Sequence, residues 1–296
     1  MVNSKSKGEK VFSVINTFLM LVVIFITVYP MWHVLVSSLS DGNKLIGTRG
    51  LMFLPKGINL SAYKAVFNNP NIFSGYKTTV TVVVAGTFFS VLTTAIGAFL
   101  ITRRNFAIKK LMAYMMVFTM YFGGGMIPTF LVVNNFLGLE DNLLALILPG
   151  MISVYNLLIM KANFEALPAS LEEAAQIDGA NDLRVLFQIV IPLSKSVIAV
   201  MVLFYGVYYW NSWFEAMMYI RDRSRYPLQL ILREILISNA TGSMNGSVGG
   251  GAGDQYMIGE SIKYATIVVA TLPILCLYPF IQKYFVQGIM IGAVKG

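Results

Sequence analysis

Residues 11–36 form an apolar run without a single Asp, Glu, Lys or Arg. A helix rises about 1.5 Å per residue, so this run is long enough to cross the roughly 30 Å hydrocarbon core of a bilayer. Inside hydrocarbon every backbone polar group must be satisfied within the protein, which leaves a helix as the simplest solution. Lys5, Lys7 and Lys10 precede the run, as they would in a secretory leader. The run is nevertheless longer than a leader's apolar region of roughly 7–15 residues and lacks an Ala-x-Ala site, so a retained first span is expected. Pro30 is expected to kink it, and His33, near its far end, to have a structural role.

The pattern recurs along the chain. Further spans are expected at residues 78–101, 111–133, 143–160, 196–220 and 265–285, giving an all-α membrane protein of six transmembrane helices in one domain over 1–296. Composition agrees, because a chain that is 56% hydrophobic and 12% charged cannot hide its apolar surface in one soluble core. The third span is interrupted by Gly123-Gly124-Gly125-Met126-Ile127-Pro128, and such a break is tolerated only against protein or beside a cavity. Residues 37–77 read as an external loop with a turn cluster at Asn68-Asn69-Pro70-Asn71 and a short helix near 61–67. Residues 221–263 read as a second external loop that opens on Arg221, Arg223 and Arg225 and holds a flexible Gly/Ser/Asn-rich stretch at 238–253.

Six spans place both termini on one side of the membrane. The segments on that side carry Lys5, Lys7, Lys10, Arg103, Arg104, Lys109, Lys110, Lys161, Arg184, Lys195, Lys283 and Lys295, or 12 of the 22 basic residues, which assigns it to the cytoplasm. The net charge of +8 therefore reflects topology. No basic stripe interleaves with aromatics on a soluble domain, which argues against nucleic-acid binding. A single Cys276 and a single His33 supply no disulfide and no metal cluster, and a membrane enzyme would need more chemistry than they offer. An ion-coupled secondary transporter would need ionisable groups at membrane depth, where Glu215 stands almost alone. Within the expected fifth span, Trp210, Asn211, Trp213 and Glu215 are candidate solute contacts, with Asn211 and Glu215 sharing a helix face at i, i+4 spacing. Gly124 and Gly125 join them as candidate pathway residues.

One polar, helix-competent island, residues 170–192, lies between the apolar segments. Ser170 followed by Glu173 reads as a capping box, Pro168 discourages an earlier helix, and Gly179 suits a left-handed helix end. Asn181 or Asp182 is placed to cap a second helix before Pro192. Two short helices with a bend are expected in a loop spanning 162–195.

This island resembles the signature loop of the permease subunits of ATP-binding-cassette (ABC) importers. Glu173-Ala174-Ala175, Gly179, Ile189 and Pro192 match its spacing, with Ile191 where the pattern has Leu. The resemblance spans nearly the whole chain and implies a type I importer permease fold. It also implies that Glu172, Glu173, Ala174, Ala175, Asp178, Gly179, Ile189 and Pro192 couple to an ATPase. Because the chain contains no phosphate-binding G-x-x-x-x-G-K-[ST] loop, ATP and Mg would be bound by partners, not by this chain. The implied partners are a second homologous permease subunit, two ATPase subunits, an external solute-binding protein and membrane lipid, in a bacterial cell membrane.

Glu172-Glu173-Ala-Ala-Gln-Ile-Asp-Gly-Ala, Gly124-Gly125-Met126-Ile127-Pro128 and the tail Gln282-Lys-Tyr-Phe-Val-Gln-Gly narrow the resemblance to the carbohydrate branch related to the maltose system. Within that branch the chain is most similar to subunits serving polysaccharide fragments. An importer of a non-sugar solute is the alternative. The same resemblance implies that Gly292 and Lys295 in the tail contact the ATPases. It further implies that the 238–253 loop enters the binding protein's cleft.

Overall fold

The computed structural model describes residues 7–46, 50–103, 107–245, 261–276 and 279. Arg104, residues 246–253 of the glycine-rich stretch, and the tail with Gly292 and Lys295 lie outside the described residues. Within those limits the chain is helical, and one isolated antiparallel bridge joins Ser40 to Ile58. Helix α1 runs Lys7–Ser38 and α2 is the short Ser61–Phe67.

Helix α3 spans Pro70–Thr102. It starts earlier than the expected 78 because Pro70, read above as part of a turn, occupies the first helical position, where its fixed φ fits and its missing N–H costs nothing. Helices α4, Lys109–Tyr121, and α5, Met126–Phe136, are separated by residues 122–125 and diverge by 118°. Gly125 turns the chain with φ +85°, a conformation that favours glycine.

The segment expected as a fourth span is not one helix. It is helical over Leu144–Ile147, opens across 148–153, and resumes as α6, Val154–Glu165. Pro149 lacks an N–H, and Gly150 is crowded by the next layer, since a Cβ there would meet the Tyr208 hydroxyl at 2.5 Å. Helix α7, Ala169–Ile177, and α8, Asp182–Leu193, follow, and α8 meets α9, Lys195–Trp210, at an 87° bend. Asn211 and Ser212 end α9 before α10, Trp213–Tyr219. Asn211 and Glu215 therefore do not share one helix face, because the Asn211 side chain donates to Val207 O at 2.8 Å and stops the helix.

A further correction concerns residues 228–245, read as loop but forming α11, Leu228–Asn245. Pro227 precedes it, and Leu228, Leu230, Ile231 and Leu232 are buried, so apolar packing overrides the polar composition downstream. The last described helix, α12, covers Ser261–Cys276.

The chain divides into two compact units, Met1–Asn69 with Glu234–Thr271, and Pro70–Arg233 with Leu272–Gly296. In the first, α1 leaves most of its length exposed, and His33 sits between Tyr29 and Ser37 with the Tyr264 ring edge-on. In the second, α3 packs against α6 and α9 around a core that includes Val82, Ala98, Leu157, Met160 and Met201.

The opened segment 148–153 leaves Ile147 C=O and Ser153 N–H without backbone partners among the described residues, an expensive state inside an apolar bundle. Two tyrosines one turn apart on α9 supply what is missing. Tyr209 OH donates to Ile147 O at 3.1 Å and accepts from Ser90 Oγ at 2.8 Å. Ser153 N–H donates to Tyr205 OH at 3.1 Å, which leaves that hydroxyl to donate to Thr94 Oγ1 at 2.7 Å. Ser90 and Thr94 are likewise one turn apart on α3, so each helix presents its pair on one face. Gly86 admits the Tyr209 ring, since a Cβ there would lie 2.7 Å from it.

Tyr209→Phe orphans a buried backbone carbonyl and a buried hydroxyl, and Tyr205→Phe a part-buried backbone N–H and a buried hydroxyl. Each is expected to destabilise the protein by about 1 kcal/mol. Thermal unfolding in detergent checks this, with Tyr121→Phe, at an exposed position (78%), as the silent control.

Candidate functional site

The loop that the sequence singles out folds as two helices joined by a tight turn. Helix α7 begins two residues earlier than a capping box at Ser170 requires: Pro168 is the N-cap, and no side chain caps the helix. Ser170 and Glu173 thus stand inside the helix, and the expected box is absent because Pro168 already fixes the entry at φ −60° and ψ 123°.

The other end follows the expected geometry. Gly179 has φ +79°, its N–H reaches Gln176 O at 3.0 Å, and Ala180 N–H reaches Ala175 O at 2.9 Å. This paired closure satisfies two orphan carbonyls and needs glycine at its left-handed position. Asn181 Oδ1 then accepts from Arg184 N at 2.8 Å and caps α8. Further along α8 a wide turn over Leu186–Val190, closed by Ile191 N–H on Leu186 O, precedes Pro192, which has no N–H of its own to place.

Helix α7 buries none of its residues. Glu173, Ala174, Asp178 and Gly179 are exposed, whereas Glu172 and Ala175 are half-buried on the inner side. Beside the exposed acids, Ile177 (86%) and Leu183 (62%) present apolar side chains to solvent. Ile189 is half-buried and Pro192 exposed, so the signature residues divide between a face that supports the loop and a face that is open. Arg103, at the end of α3, reaches this loop, and its Nη1 donates to Glu172 Oε2 at 2.8 Å.

The candidate solute residues are less concentrated. Trp210 is buried, its ring 6.4 Å from Tyr76 and its Nε1 without an acceptor among the described residues. Asn211 is exposed, Trp213 is half-buried beneath the Arg233 guanidinium at 3.7 Å, and Glu215 is half-buried. Gly124 faces only Pro128 and Gly125 faces open space, so the glycines do not meet the Trp210–Glu215 segment.

Near them, Asp141 Oδ1 accepts from the backbone N–H groups of Arg221 and Asp222, joining the turn after α5 to the chain after α10. Ser224 holds the Asp222 carboxyl below its usual value, with its hydroxyl first and its N–H second.

Neither Arg103 nor the two tyrosine–hydroxyl pairs were foreseen. A readable signal existed for the pairs: Ser90 with Thr94, and Tyr205 with Tyr209, are polar groups at helical spacing inside apolar segments.

Comparison with known proteins gives these features a family. The profile described as binding-protein-dependent transport system inner membrane component matches residues 90–291. A polygalacturonan/rhamnogalacturonan transport system permease of Bacillus subtilis, YtcP, is 41% identical over 279 residues, covering 94% of this chain and 96% of the relative. Protein LplC of the same organism is 40% identical over 291 residues, covering 98% and 97%. Among solved structures, a bacterial ABC transporter involved in the import of the acidic polysaccharide alginate superposes with a TM-score of 0.85 at 30% identity, covering 96% of this chain and all of that one. With an apolar helical bundle, a signature loop folded as an exposed helix pair and relatives matching end to end, the chain belongs to the inner membrane components of binding-protein-dependent transport systems, the permease subunits of ABC importers.

Proposed function

We propose that the chain is one of two permease subunits that together enclose the solute pathway of an ATP-driven sugar importer, and that α7 is the element received by an ATPase subunit. The observation that supports this most is α7 itself. A helix of nine residues that buries none of them is marginal alone, yet this one is closed by a glycine turn and carries alanines, acids and an exposed isoleucine on its open side. Small side chains permit close approach into a cleft, Ile177 adds apolar area to bury, and Glu173 is free to pair with a basic residue there. Two ATPase subunits supply hydrolysis, an external binding protein delivers the solute, and both termini are cytoplasmic in a bacterial cell membrane.

The solute pathway lies along the exposed backbone at residues 122–125 and the Trp210–Glu215 segment. Non-helical backbone at membrane depth has to face protein or a water-lined cavity, and in a lone subunit Gly123 and Gly125 face open space. A second permease subunit and the pathway between the two provide both.

For the solute we infer an oligosaccharide released from an acidic polysaccharide. Support comes from the relative named for polygalacturonan and the neighbour that imports alginate, both uronic-acid polymers.

Replacing Gly179 by Val forces a β-branched residue into the left-handed region, at a cost of about 1–2 kcal/mol, and opens the turn that closes α7. In the reconstituted complex, Gly179→Val and Glu173→Lys are expected to lower binding-protein-stimulated ATP hydrolysis by roughly tenfold, a loss of about 1.4 kcal/mol of coupling. Unchanged stimulation in both variants would refute the role of α7. For topology, green fluorescent protein fused after Gly296 is expected to fluoresce, as it does in the cytoplasm, and dark cells with full-length fusion would reverse the orientation.

A further inference from the structure

Among the described residues, one side-chain hydrogen bond leaves α7 for the rest of the bundle, and it is Glu172 to Arg103. Other support for the helix comes from Leu167, Ala175 and Ala180 packed against the core, contacts without direction. The ion pair is largely out of water, with side-chain exposures of 15% for Arg103 and 28% for Glu172. Arg103 also lays its guanidinium on the Phe99 ring at 3.7 Å. A salt bridge of this kind differs from a solvated pair, because the ring fixes the plane of the fork and the partly dry setting strengthens its attraction.

Arg103 holds more hydrogen-bonding capacity than it uses. Its Nε and Nη2 are buried and have no acceptor among the described residues. Arg103 lines a cavity of about 590 Å³, and Glu165, Glu173, Gln176 and Asp182 line it beside Glu172. The guanidinium therefore stands at the edge of a carboxylate-rich space, with one acid engaged and others on the same wall.

The position of Arg103 gives the contact its meaning. It follows the last residue of α3, and α3 is the helix whose Ser90 and Thr94 bond Tyr209 and Tyr205 of α9. From Ser90 to Arg103 a helix spans about 20 Å. A displacement of α7 thus has a directional route into α3, and from α3 into the buried polar ladder with α9.

We propose that Arg103 is the positioning residue that converts movement of α7 into movement of the α3–α9 pair, acting through Glu172. This rests on the reading of α7 as the ATPase-binding element. Loss of the strut leaves α7 able to bind the ATPase but able to swing on its apolar contacts, so hydrolysis proceeds with less transport per ATP.

The test is made on the whole complex in lipid nanodiscs and proteoliposomes, with oligogalacturonides as the solute and the ATPase quantified by co-purification. Arg103→Gln and Glu172→Gln are expected to retain the ATPase and to raise the ATP consumed per oligogalacturonide imported by about fivefold or more, the lower edge of common site-to-site couplings. The exchange Arg103→Glu/Glu172→Arg is expected to recover part of that loss. A role in stability alone would lower hydrolysis and import together and leave the ratio unchanged.

Should a single variant fail to fold because it buries an unpaired charge, the pair Arg103→Met/Glu172→Met removes both charges at once and decides the matter through the same ratio. A wild-type ratio in the folded variants overturns the strut. A wild-type complex without an ATPase, or without oligogalacturonide import, instead overturns the reading on which the strut rests.

Discussion

Backbone hydrogen bonding in an apolar medium is the constraint on which this structure depends. Several of its apolar segments are broken, at 122–125, at 148–153, at Ser194 and at 211–212, and each break releases backbone donors and acceptors that hydrocarbon cannot satisfy. The protein meets the demand locally where it can. Tyr205 and Tyr209 bond the ends of the 148–153 opening, Asn211 bonds its own helix terminus, and Ser212 Oγ donates to Tyr209 O at 2.8 Å. At 122–125 the Thr129 hydroxyl donates to Gly125 O at 2.8 Å, while Gly123 and Gly125 otherwise face open space.

These repairs also tie the bundle together. The hydroxyls that rescue Ile147 and Ser153 are held by Ser90 and Thr94, so a single pair of polar ladders links α3, α9 and the opened segment. Fully satisfied networks of this kind fix one arrangement of apolar helices, whose packing alone is less selective. A helix pinned in this way moves as a unit, which is what a permease needs if an event at its cytoplasmic loop is to alter a pathway within the membrane.

Much of this was legible in the sequence. The class followed from apolar runs such as 11–36, and the loop from the spacing of Glu173-Ala174-Ala175, Gly179 and Pro192, with Gly179 in the left-handed turn and Asn181 as a cap. Local chemistry dictated those features, and it also placed a short helix at Ser61–Phe67. The misreadings arose where tertiary contacts outweigh local preference. Pro70 starts a helix because α3 has a partner along its length, and the polar composition after residue 237 hid a helix whose first turns are buried, whereas Ser170 lost its capping role to a local competitor, Pro168. Arg103 could be read only as a topological charge, since its pairing with a residue 69 positions away depends on how α3 and α7 meet.

The central claim is that α7 is the surface an ATPase covers. It is tested most directly by placing a photo-crosslinking side chain at Ile177, 86% exposed on α7, and at Tyr121, 78% exposed at the end of α4, in cells that make the intact system. The account predicts a crosslink from position 177 to the ATPase subunit and none from position 121. An ATPase crosslink from position 121 with none from 177 would contradict it.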